Sequence, residues 1–124
     1  MKNKLDERII CASETAIPLP PMDIYETADM LVFEIDLPGV DTSEMSIKVY
    51  DDIIIIEGIR NKLTIDSNCR FLCMERTHET FRRMIKLPVR VNAMSAKAVY
   101  KDGVITLNFP KIKDKVFQIR IEKE

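Results

Sequence analysis

Residues 51–58 read Asp-Asp-Ile-Ile-Ile-Ile-Glu-Gly. Four isoleucines between turn-forming residues point to a short β-strand, because β-branched side chains are stiff in a helix and pack well on a pleated surface. Successive strand side chains face opposite ways. Ile54 and Ile56 share a face with Gly58, whereas Ile53, Ile55 and Ile59 share one with Glu57. A glutamate is rarely buried unpaired, so Ile54 and Ile56 are assigned to the core and Ile53, Ile55 and Ile59 to an outward apolar row. Leaving an isoleucine in water forgoes about 1.5–3 kcal/mol relative to burial. Such a row implies a surface covered by an arm, a partner subunit or another protein. The alternative is a strand buried on both faces within one domain, for which a chain of 124 residues has few spare elements.

The same period-two pattern recurs along the chain. Strands are expected at Asp23–Thr27, Met30–Leu37, Glu44–Tyr50, Ile53–Ile59, Thr80–Leu87, Lys97–Lys101 and Val104–Phe109. Leu37-Pro38-Gly39-Val40 supplies a turn, and Lys101-Asp102-Gly103 marks a hairpin. Arg60–Met74 is a long polar connection with a further candidate strand at Arg70–Glu75, and Val91–Met94 is read as a turn. These short, turn-separated strands predict an all-β fold, an antiparallel immunoglobulin-like β-sandwich. The sandwich is expected over residues 23–111. Before it lies a flexible N-terminal arm, 1–22, in which 7–14 has the pattern of a short helix and Pro18, Pro20 and Pro21 forbid regular structure. A charged C-terminal tail, 112–124, follows.

Charge narrows the function. Nineteen basic residues against 20 acidic ones give a net charge of −1, which argues against a nucleic-acid binder and against a polybasic membrane anchor. No apolar run approaches the ~20 residues of a membrane span. The N-terminus lacks a signal-peptide core because charge persists to Arg8, so a cytoplasmic protein is expected. Cys11, Cys69 and Cys73 are an odd set, unsuited to a disulfide framework. Cys69, Cys73 and His78 make too few ligands for an ordinary zinc site, and free cysteines are taken as small hydrophobes. No phosphate loop, nucleophile elbow or catalytic carboxylate pair stands out, so neither an enzyme nor a cofactor is expected.

Four segments resemble the small heat-shock proteins, the family built on the α-crystallin domain. They are Phe-Glu-Ile-Asp-Leu-Pro-Gly-Val (33–40), Glu-Arg-Thr-His-Glu-Thr-Phe-Arg-Arg-Met-Ile-Lys-Leu-Pro (75–88), Ala-Val-Tyr-Lys-Asp-Gly-Val-Ile-Thr-Leu-Asn-Phe-Pro-Lys (98–111) and Ile-Arg-Ile (119–121). The resemblance runs from about Asp23 to Ile121. Glu79 departs from it, standing where the family often has glycine, and Ile105 replaces a leucine. The resemblance implies an ATP-independent holding chaperone that binds exposed apolar segments of unfolding client proteins. It implies homodimers that exchange a loop-borne strand, here Arg70–Glu75 with Phe71 and Leu72 at the dimer interface, and that assemble into higher homo-oligomers.

The resemblance also implies that Ile119 and Ile121 dock in an apolar groove of another subunit, between Met45–Val49 and Ala96–Ala98, with Met45, Ile47, Ala96 and Ala98 lining it. Alternate side chains of an extended tail filling pockets is strand-type peptide recognition. From Pro110 to Ile119 the chain spans at most about 30 Å, so a tail folded onto its own domain remains the alternative. Arg83 matches the family's arginine near the dimer interface; the alternative is a solvated charge beside Arg82. The seven methionines, Met22 and Met30 among them, either contribute to a client surface or fill core gaps. His78 is either a pH-sensitive loop residue or a plain neighbour of Glu79. A co-chaperone-type binding module and a structural coat component built on the same fold are the competing functions.

Overall fold

A computed structural model describes residues 19–63, 66–113 and 118–124. Seven strands form within them: β1 (Met22–Glu26), β2 (Met30–Asp36), β3 (Ser46–Tyr50), β4 (Ile53–Arg60), β5 (Glu79–Lys86), β6 (Lys97–Lys101) and β7 (Val104–Pro110). All pairings are antiparallel. One sheet runs β1-β2-β7-β6 and the other β3-β4-β5. The expected all-β sandwich is therefore what forms, and each expected strand lies within two residues of its place.

Two regions differ from the sequence reading. Arg70–Glu75 forms no strand in the single chain, because a strand needs a partner edge and this segment has none in its own subunit. Val91–Met94 is not a simple turn: Val91 bridges Lys111, and a 3-10 turn occupies Ala93–Ser95. The candidate helix at 7–14 lies outside the described residues.

The core follows the alternation of the strands. Leu31, Phe33, Ile35 and Leu37 meet Ile54, Ile56, Phe81 and Ile85 from the opposite sheet, with Ile105, Leu107 and Phe109 of β7 completing the layer. The Phe33 and Phe109 rings pack edge to face at 5.7 Å, a geometry that complements the ring quadrupoles. Gly58 is buried because Phe81 lies over it. A Cβ there would sit 2.9 Å from Phe81 Cζ, so the glycine in the Glu57-Gly58 pair makes room for an aromatic of the neighbouring strand.

The two motif turns touch. Asp102 and Gly103 both have positive φ, 53° and 77°, as the tight Asp-Gly hairpin requires. The Leu37 amide donates to the Gly103 carbonyl at 2.7 Å. Gly39, at φ 78°, turns the chain toward the base of the long loop, where the Asn61 amide donates to the Gly39 carbonyl at 3.1 Å. A Cβ on Gly39 would lie 2.0 Å from Asn61 Oδ1. Gly39→Ala is therefore expected to lower unfolding free energy by about 1–3 kcal/mol from backbone strain alone, with a further loss as Asn61 is displaced. Urea unfolding at fixed protein concentration measures it; an unchanged midpoint would show that the turn tolerates a side chain.

Candidate functional site

The two sheets present three surfaces. The first is a groove where β3 and β6, edge strands of opposite sheets, come together. Ile47 and Val49 of β3 form one wall, and Ala96 and Ala98 form the other. Buried Leu107 and Phe109 make the floor, and Ala93 and Met94 complete the lining, Met94 at the solvent side. The groove has a volume of about 400 Å³. Its depth comes from small side chains: alanines at 96 and 98 leave open the space that larger residues would fill. Of the residues expected here, Ile47, Ala96 and Ala98 are in place. Met45 does not line the groove. It precedes β3 and packs inward, its Cγ 3.5 Å from where a Gly58 Cβ would stand. Val49, the far end of the stretch expected to bound the groove, also lines it; Leu107, Phe109 and Met94 required knowing which strands adjoin.

Ile119 and Ile121 are 86% and 92% exposed. Residues 118–124 carry no strand and do not fill the groove of their own chain. The root of the tail is fixed. The Ile112 amide donates to the Arg90 carbonyl at 3.0 Å, and Lys113 Nζ lies 2.6 Å from Asp29 Oδ1. The hydrogen bond from Lys113, reinforced by its charge, holds the Asp29 carboxyl below its ordinary pKa. A depressed folded-state pKa means the tie is present above the unfolded value and is lost as pH falls through the depressed one.

The second surface is the side of the sandwich away from the groove, where β1 and β5 are the edge strands. Arg83 of β5 points inward and is only 8% exposed. Its Nη1 donates to the Pro20 carbonyl at 2.9 Å. This excludes the solvated-charge reading: the inward parity of Phe81, Arg83 and Ile85 places the guanidinium inside. Pro20 is itself buried, and the Asp36 amide donates to the Pro21 carbonyl at 3.0 Å, so the chain is held ahead of β1. Among the described residues β1 pairs only with β2, which leaves its other edge open.

The long loop rises from a polar clamp. Asn61 Nδ2 donates to the Thr77 carbonyl at 3.0 Å, Arg76 Nη2 donates to Asn61 Oδ1 at 2.9 Å, and Arg60 pairs with Glu79 at 3.1 Å. Glu79 thus opens β5 as a strand residue opposite Arg60. His78 Nδ1 lies 2.5 Å from the Asn61 carbonyl; a carbonyl can only accept, so that nitrogen carries the proton. The hydrogen bond to Glu44, with its charge, raises the Lys62 pKa. Beyond the clamp, Phe71, Leu72 and Met74 are exposed, Leu72 at 87%. Cys69 and Cys73 are exposed free thiols and not buried hydrophobes, because the loop that carries them has no core of its own. Cys11 lies outside the described residues.

The third surface is the outer face of the β3-β4-β5 sheet. Ile53, Ile55 and Ile59 lie there and are half-buried, with Ile54 and Ile56 in the core on the other side. In register they are flanked by Tyr50 and Lys86, Lys48 and Met84, and Thr80. Long lysine stems cover apolar neighbours in part while their charges stay in water. Met22 packs against the core and Met30 is half-buried, which makes both gap-fillers first. Among the described residues no His, Cys, Asp or Glu side chains are grouped as metal ligands, and no helix is long and apolar enough to cross a membrane.

Comparison with known proteins agrees with this architecture. Residues 23–122 match the Hsp20/alpha crystallin family. Spore protein SP21 of Stigmatella aurantiaca is 32% identical over 93 residues, covering 75% of this chain and 55% of that protein. A 17.3 kDa class II heat shock protein of Solanum peruvianum is 29% identical over 106 residues, covering 85% of this chain and 68% of that one. The chain thus spans just over half the length of the first relative. The crystal structure of a small heat-shock protein from Xylella fastidiosa superposes with a TM-score of 0.69 at 27% identity, covering 85% of this chain and 97% of that one. With a match that takes in most of its length, this chain belongs to the Hsp20/alpha crystallin family, the small heat-shock proteins.

Proposed function

We propose that the protein is an ATP-independent holdase in the cytoplasm, working as dimers assembled into oligomers. It captures exposed apolar segments of unfolding proteins and keeps them from aggregating. Its family is one of chaperones, not enzymes. The observation that carries the reading is the pairing of an apolar groove open to solvent with an exposed Ile-x-Ile tail on one chain. Each isoleucine left in water forgoes about 1.5–3 kcal/mol, so two complementary surfaces unsatisfied in one subunit favour docking between subunits. The Xylella relative is described as having a distinct high order structure, which fits an assembling family.

Dimers form, in this reading, when Arg70–Glu75 of one subunit adds to the open edge of β1 in its partner. Strand addition pairs the free backbone groups of that edge and brings Phe71 and Leu72 out of water. Arg83, buried beside Pro20 at the foot of β1, keeps that edge in place for its partner. Clients are taken at apolar surface that assembly leaves free or releases on heating, with Ile53, Ile55, Ile59 and exposed Met84 as one such patch.

Light scattering from a heat-stressed client protein tests the holdase directly. Without ATP, an equal mass of this protein is expected to suppress most of the scattering. Unchanged aggregation would count against the reading.

A further inference from the structure

Met94 carries chemistry that the assembly reading leaves unused. It stands in the 3-10 turn that lines the groove and is 98% exposed in the single chain, more than any other large apolar side chain among the described residues. Met84 and Met74 are 56% and 53% exposed, whereas Met22, Met30 and Met45 are half-buried. An exposed thioether at the mouth of an apolar groove has two properties. It supplies pliable apolar contact to whatever enters, and it can be oxidised.

We propose that Met94 is an oxidation site that controls docking in the groove; the inference rests on the tail-docking reading above. The oxidant is a hydroperoxide. A sulfur lone pair attacks the outer peroxide oxygen and the O–O bond breaks. The oxygen stays on sulfur as the sulfoxide, and the peroxide leaves as water or alcohol after internal proton transfer. Sulfur loses two electrons and the peroxide gains them, so no further reactant is needed. The product places a strong dipole where the tail isoleucines would otherwise meet a thioether. Burying that dipole without a hydrogen-bond donor is unfavourable, and the groove walls Ile47, Val49, Ala96 and Ala98 have no side-chain donor to give it.

Access to Met94 is set by the tail. When Ile119 and Ile121 of a neighbour occupy the groove they cover its mouth, and when they leave it Met94 is open. Oxidation therefore proceeds from the undocked state and traps it, holding the assembly apart until the sulfoxide is reduced. Heat and oxidant act on the same step in the same direction.

The test uses the full chain, its Ile119→Ala/Ile121→Ala variant and its Met94→Leu variant, each treated with hydrogen peroxide. Peptide mass mapping follows the oxidation of each methionine, and native mass spectrometry follows assembly against each protein's own untreated sample. A groove occupied about nine-tenths of the time slows Met94 oxidation roughly tenfold relative to an always-open one. Met94 is thus expected to oxidise about tenfold faster in the tail variant, with Met84 and Met74 unchanged between the two. The oxidised unaltered chain loses mass as an assembly, while the treated Met94→Leu chain keeps its own starting mass. Equal Met94 rates in a tail variant that does fall apart would overturn the inference alone. So would equal loss of assembly in treated Met94→Leu. A tail variant that keeps the full assembly would overturn the tail reading, and the inference with it.

Discussion

Replacing Ile119 and Ile121 with alanine is expected to reduce the assembly to dimers. Both side chains are exposed in the single chain, and neither contributes to the core of the sandwich, so the substitution spares the fold. What it removes is the apolar area proposed to enter a neighbour's groove. Truncating a buried isoleucine to alanine gives up about 2 kcal/mol of transfer energy. Two of them weaken each tail contact by roughly three orders of magnitude. A contact repeated around an oligomer cannot survive that loss at ordinary protein concentrations. Size-exclusion chromatography reads the change, and circular dichroism confirms that the strands persist. An elution volume equal to that of the unaltered protein would refute assembly through the tail.

Arg83→Ala is expected to have the second large effect, on stability and on the dimer together. The guanidinium is buried and donates to the Pro20 carbonyl at 2.9 Å. Alanine leaves that carbonyl without this donor and opens a cavity between β5 and the foot of β1. An unsatisfied buried polar group alone costs about 1–3 kcal/mol. Because Pro20 and Pro21 fix the start of β1, the edge proposed to receive the partner's loop is expected to loosen too. Lysine is a poor substitute, since its single ammonium lacks the planar fork. Urea unfolding and sedimentation velocity, both at fixed protein concentration, separate the two consequences. A variant as stable and as tightly dimeric as the parent would remove Arg83 from both roles.

The sandwich was legible because its signals are local. Alternation in Met30–Leu37 and Val104–Phe109, the Leu-Pro-Gly-Val turn and the Asp-Gly hairpin each specify their own geometry within a few residues. The split of Ile53–Ile59 into a core face and an outer face needed only period two and one glutamate. The groove was legible in part. Its alanine wall came with the resemblance, and the small size of Ala96 and Ala98 agrees with it, but its floor, Leu107 and Phe109, depends on β7 lying between β2 and β6, which is a long-range fact. Met45 misled because residue parity continues past the start of β3, where the chain has already left the 3-10 turn at Thr42–Glu44 and points the side chain at Gly58. Arg83 was ambiguous for a different reason. A charged residue with inward parity is buried only if the fold supplies a carbonyl to meet it, and Pro20 lies 63 residues away in sequence. The loop strand at Arg70–Glu75 was not visible in one chain at all, since its pairing partner is proposed to belong to a second copy.

The central claim is that one copy of this chain carries apolar surface that other copies cover. The mass of the intact, untreated protein under native conditions tests it most directly. The account predicts an oligomer containing an even number of chains, with the dimer as its smallest stable part. A monomer that stays single as concentration is raised would contradict it.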